Sequence, residues 1–264
     1  MSNMGTALVT GASSGIGAIY ADRLAKRGYD LILVARNTDR LQTVAQRISD
    51  ETGRAVNVLT ADLSDGDDLF RVEKVLRDNA SITMLVNNAG FGGVTPLVDT
   101  DVERMEIMVD LNVTALMRLS YAAAPAFVSR NAGTIVNISS IVAIGPEILN
   151  GVYGGTKAFV LAFTQSLQHE LADKGVRVQA VLPGGTATEF WDIAGYGAYA
   201  DSPLAMPTET MVDAALAGLD LGEVVTVPPL QDGALWDEYE ALRRRISGDL
   251  AYAKPGDRYL AKVS

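Results

Sequence analysis

Short runs of apolar, β-branched residues alternate with longer stretches of helical periodicity along most of the chain. The first run, residues 6–10, ends in a glycine-rich turn, and helix-like residues follow over 18–27. A second run, 30–35, precedes a helical stretch at 38–51 closed by Gly53, and a third, 55–59, leads to a segment that starts near Ser64. A fourth, 84–86, is followed by an unbroken helical pattern over 102–129 with Met105, Met108, Leu111, Leu116 and Leu119 on its apolar side. Residues 133–140, 177–181 and 223–227 read as three further strands, with helices at 153–173 and 208–219. Strands that are apolar throughout, without alternation, are buried on both faces, as in parallel sheets covered by crossover helices. The pattern predicts an α/β fold: a doubly wound parallel sheet of about seven strands with helices on both faces. No repeat, low-complexity tract or linker interrupts it. Residues 1–264 therefore read as one domain, with a C-terminal extension at about 229–264 carrying Trp236, Tyr239 and Tyr252.

Composition narrows the function classes. With 48% hydrophobic and 20% charged residues among 264, the chain is of the soluble globular kind. Its net charge of −10 argues against a nucleic-acid partner, and Arg243-Arg244-Arg245 reads as the solvated side of a C-terminal helix. The absence of cysteine excludes disulfides and thiolate metal sites. His169 alone cannot build a histidine-rich metal site. Neither a leader pattern nor a run long enough to span a membrane is present, so a cytoplasmic enzyme is expected.

Candidate chemistry lies where predicted strands end. Gly11-Ala12-Ser13-Ser14-Gly15-Ile16-Gly17 follows the first strand and opens a helix, an arrangement that offers phosphate close backbone approach and the N–H donors of a helix N-terminus. Arg36 ends the second strand, where a guanidinium suits a ribose 2′-phosphate and so NADP in preference to NAD. Asp62, after the third strand, either meets an adenine amine or caps the segment from Ser64. Asn87-Asn88-Ala89-Gly90 suits a turn whose side chains bond nearby backbone. Asn112, an amide in an apolar run, must bond local backbone or order a water. Ser139 and Ser140 end the fifth strand where a carbonyl substrate needs a donor. Tyr153 and Lys157, four residues apart on a helix, stand one turn apart on one face, and the ammonium is expected to lower the phenol's pKa for acid/base work. The helix after Lys157 is apolar around its circumference through Ala158-Phe159-Val160-Leu161-Ala162-Phe163, which predicts a partner subunit. Residues 187–206, rich in glycine and aromatics (Trp191, Tyr196, Tyr199), read as a flexible lid.

Thr10 to Gly17, Asn87 to Gly90, Asn112, Ser140, Tyr153, Lys157 and Pro183-Gly184, in this order and at these spacings, closely resemble the short-chain dehydrogenase/reductase family, from about Thr6 to Val227. That family's serine lies thirteen residues before its tyrosine, which selects Ser140 over Ser139. The resemblance implies a Rossmann-like fold and catalytic roles for four residues: Tyr153 as general acid/base, Lys157 as its pKa partner and ribose ligand, Ser140 as donor to the substrate oxygen, and Asn112 as holder of a relay water. It implies a cofactor site of Gly11, Ser13, Ser14, Gly15, Ile16, Gly17, Arg36, Asp62, Leu63, Asn88, Ala89, Gly90, Tyr153, Lys157, Pro183, Gly184 and Thr186. Two departures stand out: Gly154-Gly155-Thr156 before the lysine, and no basic residue at position 14. The implied activity is NAD(P)H-dependent interconversion of a carbonyl and a secondary alcohol, with NADP(H) preferred over NAD(H), on a small or medium apolar ketone or aldehyde, by a homodimer or homotetramer. A dinucleotide-binding regulator or scaffold, and a dehydratase or epimerase of the same family, are the alternatives. Residues 141–152 and 187–206 would form the substrate pocket, with Ile144, Ile148, Leu149, Phe190 and Trp191 as its apolar side and Glu147 and Asn150 as polar candidates, Glu147 more simply solvated.

Overall fold

A computed structural model describes residues 4–260. The apolar runs become strands β1 (Thr6–Thr10), β2 (Asp30–Ala35), β3 (Val56–Thr60), β4 (Ile82–Asn87), β5 (Gly133–Ile138), β6 (Val176–Val181) and β7 (Val225–Thr226). They form one sheet in the order β3-β2-β1-β4-β5-β6-β7, parallel at every pairing. Alternate side chains go to opposite faces. Ala7, Val9, Leu31 and Leu33 pack with Tyr20, Leu24, Leu41, Ile48 and Met211 on α1 (Gly15–Lys26), α2 (Thr38–Thr52) and α8 (Thr208–Leu221). Leu8, Ile32, Leu85 and Ile135 pack with Leu76, Leu119, Phe127 and Leu167 on α3 (Gly66–Asp78), α5 (Leu116–Ser129) and α6 (Gly151–Leu171). α4 (Val102–Val109) and α7 (Phe190–Ala194) lie beyond the strand ends in sequence. The strand order reverses between β1 and β4, and a crevice at the carboxyl ends of these strands is where such a sheet binds ligands.

A buried polar chain ties the middle of the sheet together. Asn87 Nδ2 donates to Ser120 Oγ (3.0 Å) and to Asn137 Oδ1 (2.9 Å), and Asn137 Nδ2 donates to Thr164 Oγ1 (2.9 Å). It links α5, β4, β5 and α6. Polar groups buried this deeply are tolerated only in a defined register, so the chain helps fix where α6 sits on β5.

The chain divides into two units, Met1–Pro228 and Pro229–Ser264. The second holds α9 (Ala234–Gly248) and a short 3-10 turn at Asp257–Tyr259.

Several local expectations change. The helical pattern over 102–129 is divided: between α4 and α5 the turns of Asp110–Ala115 widen to π geometry around Asn112. Insertion of such a turn leaves the hydrophobic stripe nearly intact, so periodicity does not reveal it. α6 starts two residues before Tyr153 because Asn150 caps it, its Oδ1 accepting from the amides of Val152 and Tyr153. Asn150 is buried and its Nδ2 donates to the Thr95 carbonyl, so it is a cap and not a pocket ligand; Glu147 is exposed. The segment 187–206 contains α7, a 3-10 turn at Gly197–Asp201 and contacts among its own rings. β7 is shorter than the run over 223–227.

Candidate active site

The glycine turn sits between β1 and α1 at the reversal of strand order. Gly11 has φ +65°, and a Cβ there would stand 2.7 Å from Asn88 Nδ2 and 2.9 Å from Ala89 Cα; a Cβ on Gly17 would run into the Gly11 carbonyl. Asn88 clamps this packing, its Nδ2 donating to the Thr10 and Gly11 carbonyls while Thr10 Oγ1 accepts from the amides of Asn88 and Ala89. Gly17 is therefore a packing residue beneath the turn, whereas Gly11, Ser13, Ser14, Gly15 and Ile16 face the cavity.

The donors at the start of α1 are unspent. Ser14 at its N-cap makes no side-chain capping bond and the first turn holds no acid. By contrast α2, α3, α4 and α6 are capped by Asn37, Asp65, Asp101 and Asn150. An open helix N-terminus cradled by glycines fits the pyrophosphate of a dinucleotide.

A cavity of about 620 Å³ runs from this turn to Tyr153. Arg36, Asp62, Leu63, Ala89, Gly90, Pro183, Gly184 and Thr186 all line it. Arg36 is largely exposed and pairs loosely with Asp62, at 3.8 Å. Asp62 Oδ1 accepts from the Ser64 amide and hydroxyl while Oδ2 faces Arg36, and the cap of α3 is Asp65, not Asp62. At the opposite end stand Ser140, Tyr153 and Lys157, each under a tenth exposed.

The two serines after β5 have separate tasks. Ser139 Oγ donates to the Lys157 carbonyl at 2.7 Å and so pins α6 to the sheet. Ser140 caps the turn that follows, its Oγ accepting from the Val142 amide and donating to the Pro183 carbonyl, each at 3.4 Å; it lines the cavity and acts on the Tyr153 phenol to oppose the rise in its pKa. Lys157 Nζ donates to the Ile138 carbonyl at 2.9 Å and stands 5.8 Å from the centre of the Tyr153 ring.

The electrostatics correct one expectation. Burial pushes the Tyr153 phenol up to about 12, the Ser140 hydrogen bond opposing it, and burial brings Lys157 down to about 8. Desolvation penalises the charged form of both groups, and the ammonium, spent on a backbone carbonyl, does not offset it at the phenol. The Tyr153 phenol is therefore protonated at neutral pH.

Asn112 lies behind this pair and does not line the cavity. Its Oδ1 accepts from the Phe91 amide (3.1 Å) while Nδ2 donates to the Phe91 carbonyl (2.9 Å) and Thr156 Oγ1 (3.1 Å). Its side chain bonds the backbone of Phe91, 21 residues away in sequence, and not the local backbone of its own helix; it stands in the π turn.

Sequence reasoning missed Gly92 and the pair Arg40–Glu189. A Cβ on Gly92 would collide with the Phe190 ring and approach Tyr153 to 3.2 Å, so the glycine makes room for Phe190, whose ring centre lies 5.7 Å from that of Tyr153. Glu189 accepts from Arg40 at 2.6 Å and thereby ties the residue before α7 to α2. No composition or spacing signal marks either; both depend on where the 187–206 segment folds back.

Comparison with known proteins agrees with this geometry. A family model described as short chain dehydrogenase matches residues 5–194. The chain is 37% identical over 188 residues to serine 3-dehydrogenase of Agrobacterium fabrum, covering 70% of this chain and 74% of that one. Among solved structures it resembles a short-chain dehydrogenase from Sphingobium yanoikuyae in complex with NADPH (TM-score 0.94, 48% identity, 97% of this chain and 100% of that one). It also resembles a bulky-bulky ketone specific alcohol dehydrogenase from Comamonas testosteroni (TM-score 0.91, 42% identity, 98% and 100%). With its seven-stranded parallel sheet and its site at the strand reversal, this chain belongs to the short-chain dehydrogenase family of nicotinamide-dependent oxidoreductases.

Proposed function

We propose that this protein reduces an apolar ketone to a secondary alcohol with NADPH. The observation that carries the reading is a single cavity with an uncapped helix N-terminus and Arg36 at one end and a buried, protonated Tyr153 paired with Ser140 at the other. When bound, the nicotinamide supplies the hydride. The protein's own residues bind, orient and protonate. The glycine turn and the α1 N-terminus hold the pyrophosphate, Arg36 the 2′-phosphate, and Lys157 the nicotinamide ribose hydroxyls. Ser140 donates a hydrogen bond to the substrate oxygen, and the Tyr153 hydroxyl gives its proton to that oxygen as negative charge grows on it. Asn112 acts as a positioning residue, fixing Phe91 and Thr156 around the pair.

The substrate side is apolar: Val142, Ile148, Leu149, Phe190 and Trp191 surround the Tyr153 end of the cavity. Such a wall favours ketones whose two substituents are hydrocarbon-rich, and the likeness to an enzyme specific for ketones with two bulky groups supports extending the range upward in size. The protein acts as a cytoplasmic homo-oligomer through the outer face of α5 and α6, where the exposed rings of Tyr121 and Phe159 flank Phe163 (centres 6.3 and 5.5 Å from it). Among the described residues no helix is long and apolar enough to cross a membrane.

The test is NADPH and NADH oxidation with ketones and aldehydes graded in size and polarity. Turnover that rises with the hydrocarbon bulk on both sides of the carbonyl is expected. A preference for polar hydroxy acids, or no turnover of any carbonyl with tight cofactor binding, would contradict it.

A further inference from the structure

Helix α9 carries apolar side chains at Leu235, Tyr239, Leu242 and Ile246, spaced four, three and four residues apart. That is the spacing of a coiled-coil seam, in which each side chain falls on one stripe of the helix. All four are exposed, from 42% at Tyr239 to 55% at Leu235. Charge is segregated along the same helix. Asp237, Glu238 and Glu240 occupy its first half, and Arg243, Arg244 and Arg245 its second.

The geometry points to a second copy of this chain docking on α9 in antiparallel orientation. A two-fold interface requires a patch that is complementary to itself. Turned end for end about the centre of the stripe, α9 sets Leu235 against Ile246 of the other copy and Tyr239 against its Leu242. Glu238 and Arg245, which immediately precede stripe residues Tyr239 and Ile246, then face each other across one flank of the seam, twice by symmetry. A parallel arrangement would instead turn Glu238 toward Arg243 of the other copy, which is already held by Glu240 of its own helix, and would leave Arg245 without an opposing acid. The acid-first, base-last order also suits the helix's own dipole, but the dipole has no need of an exposed apolar stripe between the flanking charges. A pair of helices this short buries less than the ~1,600 Å² of a standard interface, so the contact is a reversible one. The inference is independent of the catalytic reading, since it uses none of the residues assigned there.

The chain's lack of cysteine makes the test clean. Leu235→Cys and Ile246→Cys are made separately in the full-length protein, and oxidised alone and mixed. Positions 235 and 246 are eleven residues apart, ~16 Å along a helix, too far for a disulfide between identical positions of an antiparallel pair. Covalent dimer from the mixture and not from either variant alone is expected. Sedimentation of Glu238→Arg and Arg245→Glu should show the association weakened roughly tenfold by each change, and the double variant restored. These surface changes leave the fold readable by circular dichroism and NADPH binding. Dimer from Leu235→Cys alone would establish the parallel pair and overturn the inference. So would no disulfide in the mixture at any concentration, or sedimentation unmoved by the charge reversals.

Discussion

Tyr153 and Lys157 show how far residue identity carries and where environment takes over. Their spacing was readable in the sequence, whereas the choice of Ser140 over Ser139 came from the family resemblance; in the structure Ser139 donates to the Lys157 carbonyl and Ser140 to that of Pro183. The direction of the tyrosine shift was not readable, because it follows from burial under Phe190, a ring supplied by a segment 37 residues further along (190 − 153). The two shifts have opposite consequences for stability. Lys157 titrates near 8 when folded and near 10.5 when unfolded, so unfolding takes up a proton in that window and stability rises with pH from about 8 to 10.5. Tyr153 titrates near 12 folded and 10 unfolded, so its contribution is complete below 10 and is lost between 10 and 12. Denaturant titrations of Lys157→Met should lack the rise that the wild type shows in the first window. A parallel rise in both proteins would mean that the lysine is not desolvated. For the same reason alcohol oxidation, which needs the phenol as base, should climb steadily with pH, while ketone reduction stays flat through neutrality. At the other end of the cavity, Arg36→Ala removes a charge-assisted donor worth about 1.5–3 kcal/mol. NADPH affinity should fall roughly tenfold to hundredfold and NADH affinity hardly at all, and equal losses would refute the assignment.

At the scale of elements, the sheet was legible because continuous apolar runs leave a parallel strand little alternative, and the glycine turn because its neighbours dictate its packing. What escaped was geometry that does not alter hydrophobic period. The π turn at Asp110–Ala115 keeps the stripe of 102–129 and yet decides where Asn112 points. Asn112→Leu would leave the Phe91 amide and carbonyl without partners, at a cost of about 1–3 kcal/mol each. Its thermal midpoint should drop, with NADPH binding weakened less than turnover. An unchanged midpoint would show that the turn does not depend on the amide. Gly17→Ala puts a methyl against the Gly11 carbonyl and should destabilise the fold by about 1–3 kcal/mol through the turn it forces apart. Chemical denaturation with and without NADPH separates that cost from loss of the phosphate site. In the segment 187–206 the ring contacts were not readable either: Trp191 packs against Tyr199 with centres 4.2 Å apart and a tilt of 37°, and it donates from Nε1 to the Thr186 carbonyl.

For the whole molecule, the question is how many copies work together. The apolar circumference of α6 pointed to a partner, and in the single chain Tyr121 is 67% exposed and Phe159 36% exposed beside Phe163. Burying this face in a two-fold interface predicts an assembly larger than a monomer at micromolar concentration, and Phe159→Glu should shift it toward smaller species in sedimentation. A wild-type monomer would contradict that. Two self-complementary faces on one chain, this one and the α9 stripe, would together build beyond a dimer. The central claim, however, concerns chemistry at one hydroxyl. Its most direct test is single-turnover reduction of an apolar ketone by NADPH-loaded protein, comparing wild type with Tyr153→Phe and measuring NADPH affinity of both. The account predicts that the variant binds NADPH as the wild type does and loses turnover by about 10²–10⁴-fold, the scale of a general acid. Reduction at near wild-type rate by Tyr153→Phe would show that the proton comes from elsewhere and would contradict the mechanism proposed for this site.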